Sequence, residues 1–340
     1  MRRVLVLTNS LSGGGAERSM NLLCGGLHTE GWQVALVPVK SGPEDLVNPD
    51  CDIRPLYDSN RQESFSILKA LFRLNVLARR WNPEICILNC SLPELLGALL
   101  LKRTKFIVVE HSSGPWHKRK VLGQIVRFLL RLRGAKWVSV SDHLSIWPNA
   151  GKADRVIQNA ITSGFTELMI GTNKVVKRLI FIGRLSTEKR PDWIVEISIK
   201  TQLPCLLIGD GPMRKDLGEK VHQLTHQDVF LGQRHDAWSS FEAGDLLIVP
   251  SKFEGDGLVV LEGMQRRVPM LLADIEAFRR FKLDNQFYCL EIADFVKRIE
   301  ENRVQLENLI PPKSVRLLCL EHRDSKDVVQ AWTEYIDNIK

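Results

Sequence analysis

Short apolar runs alternate with amphipathic stretches along the first half of the chain. "RRVLVLT" (2–8), "WQVALVPV" (32–39), "EICIL" (84–88), "KFIVVE" (105–110), "KWVSVS" (136–141) and "RVIQN" (155–159) each read as a strand. Their apolarity is continuous rather than alternating, which implies burial on both faces and a parallel sheet covered by helices. "AERSMNLLCGGL" (16–27) carries helical periodicity, and so does "SFSILKALFRLNVLARRW" (64–81), with Phe65, Leu68, Phe72 and Val76 on one stripe.

Residues 162–177 are polar, contain Gly and Thr and show little periodicity. They read as a linker. The alternation then restarts with "RLIFIG", "PCLLIG", "DVFLG", "DLLIVPS" and "VPMLLAD" as strands, separated by helices near 191–200, 213–224, 235–243 and 257–267. The expected organisation is an N-terminal domain over 1–161, the linker over 162–177, a second domain over 178–324, and a helix over 325–340 whose docking is left open. The fold class is α/β, with two Rossmann-like domains whose parallel sheets face an interdomain cleft. In such sheets ligands sit beyond the carboxyl ends of the strands.

Composition narrows the class. A chain of 340 residues exceeds one ordinary core, and 44% apolar with 26% charged residues is soluble-globular usage. The seven cysteines are scattered and form no C-x-x-C pair, which fits free, buried thiols in a reducing cytosol better than disulfides or a zinc site. The apolar stretch of "MRRVLVLTNS" is too short for an export signal. "LLGALLL" stops at Lys102, well short of the roughly 20 residues that span a bilayer.

Four loops at strand ends hold the candidate chemistry. They are "SLSGGGAER" (10–18), "GRLSTEKRP" (183–191), "GDGP" (209–212) and the turn "SKFEGDGLVVLEGM" (251–264). Each alone has an ordinary reading: a tight turn, a solvated ion pair, a turn aspartate, or glutamates near a helix start. All four should open on one edge of the sheets. Gly14 and Gly15 let backbone approach a ligand. Arg184 and Lys189 are a cationic pair suited to a pyrophosphate, and the helix starting near Gly257 offers N–H groups to the same phosphates. Glu254 and Glu262 can then accept hydrogen bonds from hydroxyls. The backbone of the turn would serve phosphates while its carboxylates serve sugars.

With "GGGAER", "GRLSTEK", "GDGP", "FLG" (230–232) and the E-x7-E of "EGDGLVVLE", the sequence resembles glycosyltransferase family 4 from the first strand to about Asp274. That resemblance implies a retaining, sugar-nucleotide-dependent enzyme of the GT-B fold. It implies that Gly14 and Gly15 lie near the donor phosphate and acceptor, and that Arg184 and Lys189 neutralise the pyrophosphate. Glu254 would hold the donor sugar, Glu262 the ribose, Gly257 and Leu258 would lend N–H groups, and Arg234 would lie near the base. Gly209 and Asp210 join the donor set. His111 in "VVEHSS" matches the position of a histidine near the transferred sugar. The chain departs from the family at Asp256, where an aromatic residue is usual, at "VIQNAIT" in the hinge, and in its modest length.

Two other classes fit the residues less well. A nicotinamide-dependent oxidoreductase would need a glycine where Arg18 stands and an acidic residue where Lys40 stands. A non-catalytic accessory subunit would not be expected to keep His111, Arg184, Lys189, Glu254 and Glu262 together. No P-loop, H-E-x-x-H or G-x-S-x-G occurs. The expected activity is transfer of a hexose or N-acetylhexosamine from a UDP-sugar, with GDP-mannose second, to a glycan or lipid-linked acceptor of surface polysaccharide or glycolipid assembly. No metal, no cofactor and no nucleic-acid partner is expected.

Charge placement adds a membrane. From Lys102 to Lys136 ten basic residues face the single acid Glu110, a local +9 against +7 for the whole chain. "KRKVLGQIVRFLLRLR" is helical in period, with Val121, Leu122, Ile125, Val126, Leu129 and Leu132 on one face and Lys120, Gln124, Arg127 and Arg131 on the other. The helix reads either as a core helix with a solvated basic back or as an interfacial patch. On the second reading the expectation is a cytoplasmic protein held peripherally on the inner face of the cell membrane, its basic 102–136 region against anionic lipid.

Overall fold

The computed structural model describes residues 2–11, 14–41, 51–58, 65–111, 116, 119–144, 146–147, 151–161, 174–225, 229–234 and 236–339. Ser12, Gly13 and most of the expected linker lie outside them. The chain divides into two compact units, residues 1–160 with 322–340, and residues 161–321.

In the first unit the chain runs β1 (Arg3–Thr8), α1 (Gly15–Thr29), β2 (Gln33–Pro38), β3 (Asp52–Ile53), α2 (Ile67–Trp81), β4 (Ile85–Asn89), α3 (Ser91–Leu99), β5 (Lys105–Glu110), α4 (Lys120–Leu132), β6 (Lys136–Ser139) and β7 (Arg155–Val156). The sheet is parallel, in the order β7-β6-β5-β4-β1-β2-β3. Val4, Val6, Ile87 and Ile107 point to one face, where α1 packs, while Leu5, Leu7, Leu88 and Val108 point to the other with α2, α3 and α4. Burial on both faces is the reason these strands read as unbroken apolar runs.

The second unit runs β8 (Arg178–Ile182), α5 (Pro191–Thr201), β9 (Cys205–Ile208), α6 (Arg214–Thr225), β10 (Phe230–Gly232), β11 (Asp245–Val249), α7 (Leu258–Gln265), β12 (Met270–Ala273), α8 (Glu276–Arg279), β13 (Tyr288–Cys289), α9 (Ile292–Glu301) and α10 (Lys313–Leu320). Its parallel sheet has the order β10-β9-β8-β11-β12-β13. In each sheet the strand order reverses beside the first strand, which is the doubly wound arrangement and sets a switch point at the carboxyl ends.

The last helix, α11 (Ser325–Asn338), returns to the first unit. Val328, Trp332 and Ile336 are buried in one core with Met20, Leu23 and Leu27 of α1, and Val329 is buried beside them. Gly26 makes this approach possible, since a Cβ there would lie 2.1 Å from Val329 Cγ2. The return passes the departure in the hinge: the Ser19 hydroxyl bonds the Asn159 side chain, and Arg323 Nη1 donates to the Asn159 carbonyl at 3.4 Å. At the linker's other end Val176 is already buried in the second unit's core.

Three expectations are corrected. Of the expected helix near 235–243, the described residues 236–243 hold one 3-10 turn, Trp238–Ser240, because Asp236 Oδ1 accepts from the N–H groups of Trp238 and Ser239 and closes a tight turn. On α2 the buried residues are Ala70, Leu74, Asn75 and Ala78, and the stripe of Leu68 and Phe72 faces outward. On α4 the buried face is Gly123, Val126, Arg127 and Leu130. Arg127 therefore does not share an exposed basic face. Arg133 is also engaged inward, donating to the carbonyls of Ala98, Leu100 and Lys102 at the C-terminal end of α3. Among the described residues no helix is long and apolar enough to cross a membrane.

Candidate functional site

The second unit gathers most of the expected donor residues on loops that leave β8, β9 and β11. These loops are tied to one another by backbone bonds. Gly183 N donates to Ile208 O at 3.0 Å, Leu185 N to Asp210 O at 2.9 Å, and Gly209 N to Gly232 O at 2.8 Å. Gly209 has φ +142°, and a Cβ there would sit 2.0 Å from Gly183 O, so no other residue fits between the two loops. Asp210 is exposed at the tip, its Oδ1 accepting from Gly211 N at 2.6 Å, as a turn aspartate does.

Lys252 N donates to Glu188 O at 2.8 Å and so joins the lysine loop to the glutamate turn. Across this join the Lys189 ammonium is paired with the Glu254 carboxylate, and Ser251 Oγ donates to the same Oε1 at 2.8 Å. Glu254 is buried and Lys189 half-buried, so the pair lies in a partly desolvated setting where a charge-assisted bond is strong. Arg184 and Arg234 are exposed. Gly257 takes φ +65° as N-cap of α7, no side chain caps that helix, and Leu258 opens it. A helix start of this kind presents donors and a positive dipole end to an anion.

Glu262 lies on the second turn of α7. Its Oε2 accepts from the Trp238 indole at 2.9 Å, and the Arg266 guanidinium lies 4.8 Å from that ring. Asp256 is buried and turned to Arg280, whose guanidinium bonds both its carboxylate and its carbonyl oxygen. The sequence reading missed Trp238, Arg266 and Arg280. The only local signal was Asp256 itself, since a buried carboxylate requires a cation.

In the first unit Gly14 is the N-cap of α1 and Gly15 its first residue, at the carboxyl end of β1. Buried Asn89 fixes this corner, donating from Nδ2 to Thr8 Oγ1 at 3.1 Å and to Ala16 O at 3.4 Å. His111 follows β5 directly and is half-buried. Before it, Glu110 belongs to a buried ion cluster: Arg127 donates to Glu110 at 2.9 Å and to both oxygens of Glu94 at 2.7 and 2.8 Å, and Trp116 Nε1 adds 2.9 Å to Glu94. The nearby Cys90 thiol is pushed well up by burial and then by Glu17, Glu110 and Glu94.

Each unit is doubly wound, and the second carries a lysine–carboxylate pair and an open helix start at its switch point, where such sheets take their ligands. Residues 13–157 match the Glycosyltransferase Family 4 domain and residues 176–301 the "Glycosyl transferases group 1" domain. The chain belongs to these glycosyltransferases. It is 22% identical over 289 residues, 78% of this chain and 77% of the other, to a GalNAc-alpha-(1->4)-GalNAc-alpha-(1->3)-diNAcBac-PP-undecaprenol alpha-1,4-N-acetyl-D-galactosaminyltransferase from Campylobacter jejuni. The match to the putative teichuronic acid biosynthesis glycosyltransferase TuaC of Bacillus subtilis is 32% over 98 residues, 28% of this chain and 24% of that one. Among solved structures, Anabaena Alr3699/HepE in complex with UDP-glucose superposes with a TM-score of 0.78 at 15% identity over all of both chains. The first three curated relatives are spanned over only 29%, 36% and 24% of their length.

Proposed function

We propose that the protein transfers a hexose or N-acetylhexosamine from a UDP-sugar, with retention of anomeric configuration and without a metal, to a lipid-linked or glycan acceptor in surface polysaccharide or glycolipid assembly. The observation that carries this is the Lys189–Glu254 pair set beside the uncapped start of α7. Arg184, Lys189 and the N–H groups at Gly257 and Leu258 take the negative charge that gathers on the leaving pyrophosphate. Glu254 then exchanges its lysine for hydroxyls of the donor sugar, and Glu262 holds the ribose. Arg234 serves the base, with Gly209 and Asp210 on the adjoining loop. In the first unit, Gly14, Gly15 and His111 at strand ends are that unit's proposed ligand contacts.

In the transfer, the acceptor oxygen bonds to the anomeric carbon as the bond to the UDP oxygen breaks. The acceptor proton passes to the departing phosphate, so no side chain needs to become covalently linked. Relatives from Campylobacter jejuni and Escherichia coli whose names specify undecaprenol-linked substrates support a lipid-linked acceptor. They also support work at a membrane, and a peripheral place on its inner face is part of the proposal. HepE with UDP-glucose supports the donor. The test is a thermal-shift and turnover panel of UDP-, GDP- and ADP-sugars. A rise in Tm and hydrolysis or transfer with one UDP-sugar is expected. Stabilisation by NAD, or no turnover with any donor, would replace this reading with an oxidoreductase or a non-catalytic subunit.

A further inference from the structure

We propose that the protein seats itself in an anionic membrane through an apolar ladder on α4, formed by Val121, Ile125, Phe128 and Leu132, with the basic residues only flanking it. This rests on the lipid-linked acceptor proposed above and names the surface that would reach it. The rotation of α4 is fixed from inside. Arg127 is held by Glu94 and Glu110 in the buried cluster, and Gly123 takes the Trp116 side chain, its Cβ position lying 2.4 Å from that ring. With that side inward, the ladder at i, i+4, i+7 and i+11 points outward, at 69%, 52%, 61% and 70% exposure. Water-facing helices put charge there, and four large apolar side chains in register are the face of an interfacial helix.

Charge decides what covers it. Lys120, Gln124 and Arg131 run along one edge of the ladder, all exposed, with Arg119 at the helix start. No acid occurs on α4 or anywhere from 111 to 136. α3 packs beside α4, and Leu99 at its end and Leu101 just past it are also exposed. A second copy laid on this face would bring the same cations together, whereas anionic headgroups neutralise them while acyl chains take up the ladder.

The test is co-sedimentation of the full chain with phosphatidylcholine vesicles containing increasing phosphatidylglycerol. Wild type is compared with an Ile125→Ser, Phe128→Ser, Leu132→Ser variant and a Lys120→Gln, Arg131→Gln variant. The serine variant should lose about tenfold or more in binding, since it removes most of the inserted apolar surface. The glutamine variant should lose less, and its remaining binding should respond less to salt. Donor hydrolysis without vesicles should be unchanged in both, so a failure of transferase activity is read separately from a failure of docking. Equal binding by wild type and the serine variant would overturn the proposal. So would a wild-type dimer in light scattering that the serine variant dissolves, without vesicle binding.

Discussion

Arg280 Nη2 donates to the Asp256 carbonyl at 2.6 Å and also to its carboxylate, so one guanidinium neutralises the extra acid of the glutamate turn. The carboxylate is thereby turned toward a cation of its own unit. Asp256→Asn should leave UDP affinity unimproved, because no repulsion toward phosphates is being relieved. It should lower stability by about 1–3 kcal/mol, since a buried charged bond is weakened. Isothermal titration with UDP and urea unfolding read the two effects. A large gain in UDP affinity would show that the carboxylate points at the phosphates.

The two glutamates of the same turn should separate by readout. Glu254→Gln removes the charge that pairs with Lys189 and leaves one neutral acceptor oxygen for the proposed sugar hydroxyls, so it should slow transfer at least about tenfold while changing UDP affinity little. Glu262→Ala removes a proposed ribose acceptor and leaves the buried Trp238 indole without its carboxylate, so it should weaken UDP itself by about tenfold. Mass spectrometry of Glu254 during turnover provides a further check. A sugar adduct there would contradict direct transfer.

Much of this fold was legible because sheets buried on both faces leave unbroken apolar runs, and the strand-end motifs then fall on loops by necessity. Local pattern could not show rotation. α4 has apolar residues around most of its circumference, and which side faces in is decided by Arg127 reaching Glu94 and Glu110, 33 and 17 residues away in sequence. For the same reason Leu68 and Phe72 form an apparent core stripe, while the smaller Ala70, Leu74 and Ala78 pack inward. In the site, charged residue types and their loops could be read from spacing. Their partners Trp238 and Arg280 could not, because each comes from a separate element brought close only by the folded sheet.

Removal of divalent cations tests the charge supply at the leaving group. With Arg184, Lys189 and the start of α7 available, activity should persist in excess EDTA within about a factor of two. Complete loss restored by manganese or magnesium would reassign the phosphate contacts to a metal.

The Arg127 cluster should be among the costliest single sites in the first unit. Arg127→Met leaves Glu94 and Glu110 buried without their cation, a change worth about 3–5 kcal/mol when one member of a buried ion group is removed. Adding Glu94→Gln and Glu110→Gln should recover part of the loss, because neutral amides cost less to bury. Urea unfolding of the single and triple variants measures this. A single variant as stable as wild type would mean that water reaches the cluster.

Alkaline pH should unfold the protein through its thiols. Burial pushes Cys86 and Cys289 up to about 12, from an ordinary value of 9.0, and Cys24 and Cys90 move in the same direction. Because the folded values are the raised ones, their contribution to stability is full below about pH 9. Above that the unfolded chain loses protons that the folded chain keeps, and stability falls as pH climbs toward 12. The slope is about 1.4 kcal/mol per pH unit for each thiol. Urea midpoints at about pH 8 and about pH 10 should therefore drop further in wild type than in a Cys86→Ala, Cys289→Ala variant, in which lysine and tyrosine titration remains. Equal drops in the two proteins would show that these thiols ionise as readily in the folded state as in the unfolded one.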